Sequence, residues 1–143
     1  MRLPPSTLAL VAAALLATGC SLLDSGNVFE LAVGDCFDDA GGTQISEVPI
    51  VDCAEPHDNE VFRVYDVADG DYPGDDALVQ QAVATCLPAL DDYVGDADVA
   101  SQLDAFPITP TAGSWEDGDR EVVCALYDAD LAKLEGSMRG GDR

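Results

Sequence analysis

The chain has one histidine, His57, in "CAEPHDNEVF", with Asp58 and Glu60 close by. An imidazole beside carboxylates can serve as a general base or a metal ligand. Hydrolysis needs a nucleophile as well. Ser46, Ser101 and Ser114 are available, but no G-x-S-x-G turn occurs and "AGSWEDG" misses that spacing. No triad is fixed by the sequence, so no catalytic residue is assigned. The acidic stretches "DGDYPGDD", "DADVASQLD" and "EDGD" suggest calcium, yet none follows the D-x-[DN]-x-[DN]-G loop with its distal glutamate. They read as solvated turns, and neither a metal nor a cofactor is expected. Trp115 and Arg120, in "WEDGDREVVC", are candidate recognition residues. The simpler reading puts Trp115 in the core and Arg120 in an internal ion pair.

The five cysteines divide by position. Cys20 follows an apolar run of 10 residues, Leu8 to Ala17, preceded by Arg2 and the amino terminus. That run suits a signal-peptide core and falls short of the roughly 20 residues a membrane-spanning helix needs. Leu16-Ala17-Thr18-Gly19-Cys20 resembles the bacterial lipobox, with Ala17 where leucine is usual. Residues 1–19 are therefore expected to be a lipoprotein signal peptide and Cys20 the lipidated amino terminus, with residues 20–29 as a tether. Ordinary cleavage near Ala17 or Gly19, giving a free secreted protein, is the alternative. Each buried methylene contributes about 0.8 kcal/mol, so acyl chains on Cys20 would hold the protein on the extracytoplasmic face of the cell membrane.

Charge supports a covalent anchor. The net charge is −22, and removal of residues 1–19 with Arg2 leaves 28 acids and 5 bases, or −23. Such a surface repels phosphate backbones and anionic headgroups, which disfavours nucleic-acid binding and electrostatic docking to a membrane.

Cys36, Cys53, Cys86 and Cys124 then form an even set in an exported chain, where disulfides are favoured. Their long spacings contain no C-x-x-C, which argues against zinc. Three pairings are possible. Cys36–Cys53 with Cys86–Cys124 is the expected one, because each bridge then joins neighbouring elements.

Those elements follow from patterning, and no internal repeat interrupts them. "FELAVGDCFD" and "ISEVPIVDC" read as strands around the turn "DDAGGT", with Pro49 marking an edge or irregular strand. "NEVFRVYDVAD" is a strand with Val61, Tyr65 and Val67 on one face and Phe62 and Val64 on the other. Asp75 or Asp76 is placed to cap "ALVQQAVATCLPALDDYV", a helix with Val79, Ala82, Val83, Cys86 and Leu90 on its apolar face and a kink or restart at Pro88. "GDADVASQLDAF" holds a short second helix, and "FPITPTAG" is extended. "REVVCALYDA" carries Val122, Cys124 and Leu126 on one face and Val123, Ala125 and Tyr127 on the other, as a central strand does. The expected fold is α+β: a small, mainly antiparallel sheet with one kinked helix packed on it, stapled by two disulfides, spanning residues 30–130. The patternless residues 131–143 are expected to be a disordered tail.

Val33-Gly34-Asp35-Cys36-Phe37, Cys53-x-x-Pro56-His57-x-x-Glu60-Val61-Phe62, Cys86, and Trp115-x-x-Gly118-Asp119-Arg120-x-Val122-x-Cys124 together resemble the septum formation family of actinobacterial envelope proteins. The resemblance covers roughly residues 30 to 128. It implies an extracytoplasmic, membrane-associated domain linked to division, and it carries no reaction or cofactor. The matching positions are Cys36, Cys53, Pro56, His57, Glu60, Cys86, Trp115, Gly118, Arg120 and Cys124, with mainly structural roles. His57 either caps a turn or pairs with Glu60, or lies on a partner-binding surface; Glu60, Trp115 and Arg120 are the other candidate interaction residues. The expectation is a non-enzymatic envelope lipoprotein that binds an envelope or division protein. A ligand- or cation-binding lipoprotein and a wall-directed hydrolase using His57 are the alternatives.

Overall fold

The computed structural model describes residues 25–27, 30–41 and 47–141. The expected signal peptide, Cys20 and Ser46 lie outside the described residues. Six strands form one sheet: β1 (Ser25–Asn27), β2 (Cys36–Phe37), β3 (Glu47–Val51), β4 (Asn59–Asp66), β5 (Leu103–Ile108) and β6 (Glu121–Asp128). Their order is β1-β3-β2-β4-β6-β5, and every neighbouring pair is antiparallel. Among the described residues, three α-helices accompany the sheet, α1 (Asp75–Val94), α2 (Ala97–Ala100) and α3 (Ala112–Glu116), with a short 3-10 helix at Arg139–Gly141.

The central strand β6 has the expected two apolar faces. Val122, Cys124 and Leu126 pack with Leu78, Ala82, Cys86, Leu90 and Val94 of α1, while Val123 and Ala125 pack with Leu31, Phe37, Val48 and Val61. Phe37 and Val48 come from strands on the far side of β4, so the sheet must curl to cover its own second face.

Strand β4 departs from simple alternation. Its register with β6 shifts between Val61 and Arg63, so Phe62 is the extra residue of a bulge. Phe62 therefore joins Tyr65 and Val67 on the helix side, and Val61 joins Val64 on the other. The expected face assignment is corrected accordingly.

Helix α1 begins after Gly74 with no side-chain cap, which leaves Asp75 and Asp76 in the first turn, where the helix dipole favours acids. It runs unbroken through Pro88. Pro88 and Ala84 are both exposed, so the carbonyl that the proline leaves unbonded can take a water instead. Leu78, rather than the 40 % exposed Val79, joins the buried stripe. The helix ends at Gly95, whose φ of 70° places it in the left-handed region and whose N–H bonds to the Asp91 carbonyl.

Three further expectations are corrected. Residues 25–27 of the tether are a strand paired with Glu47–Pro49. In "FPITPTAG" only the start is extended: Thr111 accepts from the Ser114 N–H at 3.1 Å, and Ser114 Oγ accepts from the Thr111 N–H at 3.0 Å, closing a capping box that opens α3. The segment 131–141 is not a disordered tail. It returns to the sheet, where Leu134 exchanges backbone hydrogen bonds with His57 at 2.8 and 3.0 Å and Met138 is buried. Its bonds to His57 and Glu60 span 77 or 78 residues of sequence, so no local pattern announces them.

Both expected disulfides, Cys36–Cys53 and Cys86–Cys124, are formed. The second joins α1 to β6.

Candidate functional site

His57 and Glu60 are both fully buried, so neither presents itself to a partner on the surface. This corrects their assignment as interaction residues. His57 caps its own turn: ring Nδ1 lies 2.8 Å from the Glu55 carbonyl oxygen. Ring Nε2 finds no hydrogen-bond partner among the described residues.

Glu60 sits opposite Cys36 in the β2–β4 register, pointing into the helix-side core. Burial of a carboxylate is costly unless its lone pairs are occupied. Its Oε1 accepts from Tyr93 Oη and Ser137 Oγ, each at 2.6 Å, and Oε2 accepts from the Met138 N–H at 2.7 Å. Ser137 Oγ itself accepts from the Arg139 N–H, which leaves the hydroxyl proton for Glu60. Burial first, and the carboxylate second, hold the Tyr93 phenol above its usual range, so it stays a donor. Arg139 covers the Tyr93 ring at 5.4 Å.

Lys133 fastens the same segment from outside, at 2.8 Å from both Asp38 and Asp58. Burial alone would raise the Asp58 carboxyl, but the Asp39 N–H and the Lys133 ammonium outweigh it and hold the group below its ordinary value. Tyr93, Lys133, Ser137 and Met138 were not identified from sequence. Their only sequence signal is a basic residue and a methionine in an acidic, polar terminus.

Trp115 and Arg120 form a second cluster, as the structural reading expects. The indole N–H donates to the Gly70 carbonyl at 3.0 Å, and Tyr72 meets the ring edge-on. The Arg120 guanidinium lies 3.8 Å over the indole, bonds Asp69 at 3.1 Å and donates to the carbonyls of Trp115 and Asp119. These contacts clamp the 69–72 loop onto the start of β6.

Beside the clamp, Glu121 Oε1 and Asp119 Oδ2 are buried and have no hydrogen-bond partner among the described residues. Burial, then Asp119 and Asp66, raise the Glu121 carboxyl above its ordinary 4.5. A raised pKa means that the folded state binds this proton more tightly, so the group favours folding at low pH and opposes it as pH rises through the raised value. Glu121→Gln should therefore raise Tm by a few degrees at pH 7, and the gain should vanish well below pH 4.5, as paired thermal melts can show.

On the opposite face of the sheet, an open cleft of about 300 Å³ is lined by Asp39, Asn59, Phe106, Tyr127 and Leu131. Asn59 donates to Asp39 at 2.9 Å, and the Phe106 and Tyr127 rings lie 5.9 Å apart. Leu131 is 81 % exposed and has a φ of 60°. A leucine in the left-handed region costs about 1–2 kcal/mol. The chain thus holds an apolar side chain in water on a strained backbone, beside two aromatic rings. Asp58 and Asp128 add carboxylates to the rim of the same depression. Only the aromatic–acidic alternation at 127–128 hinted at this place.

Among the described residues, no helix is long and apolar enough to cross a membrane. No curated protein and no solved structure matches the chain. Among known families, the description "Septum formation" matches residues 26–142, a span that takes in both disulfides, the buried His57 and Glu60, the Trp115–Arg120 clamp and the returning terminal segment. With most of its length covered, the chain belongs to the septum formation family.

Proposed function

We propose that this septum formation domain is a non-enzymatic, lipid-anchored envelope module that docks a division protein through the Leu131 cleft. The observation that carries the reading is Leu131 itself, held 81 % exposed at positive φ beside Phe106 and Tyr127. Backbone strain around an exposed apolar side chain is what a recognition feature leaves behind. Asp39, Asp58 and Asp128 rim the cleft, and the charge of −22 surrounds it. The partner that complements this surface is an apolar side chain flanked by lysine or arginine. His57, which a wall-directed hydrolase would need, is sealed from any polymeric substrate.

Anchoring by Cys20 keeps the domain close to the membrane. Four residues separate Cys20 from Ser25, where β1 begins, a reach of about 15 Å when extended. The test is the position of the full-length protein, carrying an export-compatible fluorophore, through division. Wild type should concentrate at the constriction. Leu131→Asp should stay at the membrane with an unchanged Tm but spread along the envelope, and Cys20→Ala should leave the membrane fraction. Uniform wild-type signal defeats the septal reading, septal Leu131→Asp defeats the cleft, and membrane-bound Cys20→Ala defeats the anchor.

A further inference from the structure

The orphaned nitrogen of His57 identifies a second kind of chemistry. A carbonyl oxygen only accepts, so the 2.8 Å contact with Glu55 fixes the proton on Nδ1 and leaves Nε2 as a lone pair. That lone pair is completely buried and has no partner among the described residues, an arrangement that costs stability. A backbone carbonyl holding one ring nitrogen while the other is free is the arrangement by which proteins orient a metal-binding histidine.

Two further ligand-bearing side chains lie beside the ring. Cys36 Sγ, a ring nitrogen of His57 and a carboxylate oxygen of Glu60 lie within 4.8 Å of one another. Cys36 and Glu60 are paired in register across β2 and β4, so rigid strands position both. Among the described residues Glu60 Oε2 accepts from the Met138 N–H alone, which leaves it a lone pair. Ligands of a tetrahedral zinc ion stand about 3.3–3.8 Å apart, a contraction of roughly 1 Å from that outer limit.

What keeps the site closed is the bond between Cys36 and Cys53. A disulfide sulfur carries no charge and is a poor ligand, whereas a thiolate is a strong one. We propose that Cys36, His57 and Glu60 form a zinc-class metal site gated by the Cys36–Cys53 disulfide. An extracytoplasmic dithiol supplies two electrons and two protons; its own sulfurs become a disulfide, and Cys36 and Cys53 become thiols. Zn²⁺ then displaces the Cys36 thiol proton to solvent and takes the thiolate, His57 Nε2 and a Glu60 oxygen. The Cys53 thiolate or a water completes the four ligands. The half-buried Cys53 gives the reductant its point of attack, while Cys36 is nearly inaccessible.

Cys53→Ser in the full chain leaves a permanent thiol at Cys36 with Cys86–Cys124 intact. Co²⁺ serves as the probe, because a thiolate ligand gives it a charge-transfer absorption. One Co²⁺ per Cys53→Ser chain should bind and be displaced by Zn²⁺. Oxidised wild type and Cys36→Ser/Cys53→Ser, which retains Cys20, should show no such band. Cys53→Ser/His57→Ala should bind at least tenfold more weakly. A Cys53→Ser protein without the band, or one indifferent to His57→Ala, overturns the site. Should Cys53→Ser fail to fold, the wild-type couple is titrated instead, with alkylation and peptide mass reporting Cys36 and Cys53 separately from Cys86 and Cys124. Zn²⁺ should then move the Cys36–Cys53 midpoint to a more positive potential, and an unmoved midpoint overturns the proposal.

Discussion

Glu60→Ala is expected to lower the stability of the domain by about 3–5 kcal/mol, the range for breaking a buried, charge-assisted network from one side. The loss is larger than that of one methyl-sized void because three donors, on Tyr93, Ser137 and Met138, would face an empty volume. Buried donors without acceptors carry their full desolvation cost. Glu60→Gln keeps the shape and can still accept from Tyr93 and Ser137, but it turns an amide N–H toward the Met138 N–H. It should cost less, about 1–3 kcal/mol. Urea midpoints measure both. Limited proteolysis should show the 131–143 segment cut first in Glu60→Ala, since Glu60 holds Ser137 and Met138 to the body. An alanine variant within 1 kcal/mol of wild type would mean that the network is ornamental.

Loss of the Cys86–Cys124 bridge ranks second. With its cysteines separated by 38 positions, the bridge restricts the unfolded chain by about 4 kcal/mol, against about 3 kcal/mol for the 17-residue separation of Cys36 and Cys53. Domains of this size are stable by only about 5–15 kcal/mol, so Cys86→Ala/Cys124→Ala should stand near its unfolding limit. Both cysteines are essentially inaccessible, and the alanines also leave a void between α1 and β6. Calorimetry should place this variant below Cys36→Ala/Cys53→Ala, and hydrogen exchange should show α1 opening first. The reverse order would place the greater restraint on the β2 side.

The sheet and α1 were legible because their apolar residues repeat at short range: β6 alternates over 122–127, and Cys86 and Leu90 lie one turn apart. The disulfide pairing followed from which elements are neighbours. Alternation misassigned β4, since a bulge at Phe62 adds a residue that no local composition marks. The short helix α3 was read as extended because serine, rather than the usual glutamate or glutamine, closes its capping box. His57 and Glu60 were singled out by type, yet their burial was not legible. It depends on Leu134, Ser137 and Met138, whose contacts exist only once the chain has returned to β2 and β4. Leu131 was missed for a related reason: exposure is a property of the finished surface.

The returning segment also sets a timetable. Under the export that the proposed lipid anchor requires, a chain moving amino terminus first would deliver Glu60 to the far side 33 residues ahead of Tyr93 and 77 ahead of Ser137. Until those donors arrive the carboxylate keeps its water, and the core around it cannot close. Completion would then wait until Ser137 and Met138 emerge, leaving a polypeptide still threading a translocation channel loose enough to keep moving.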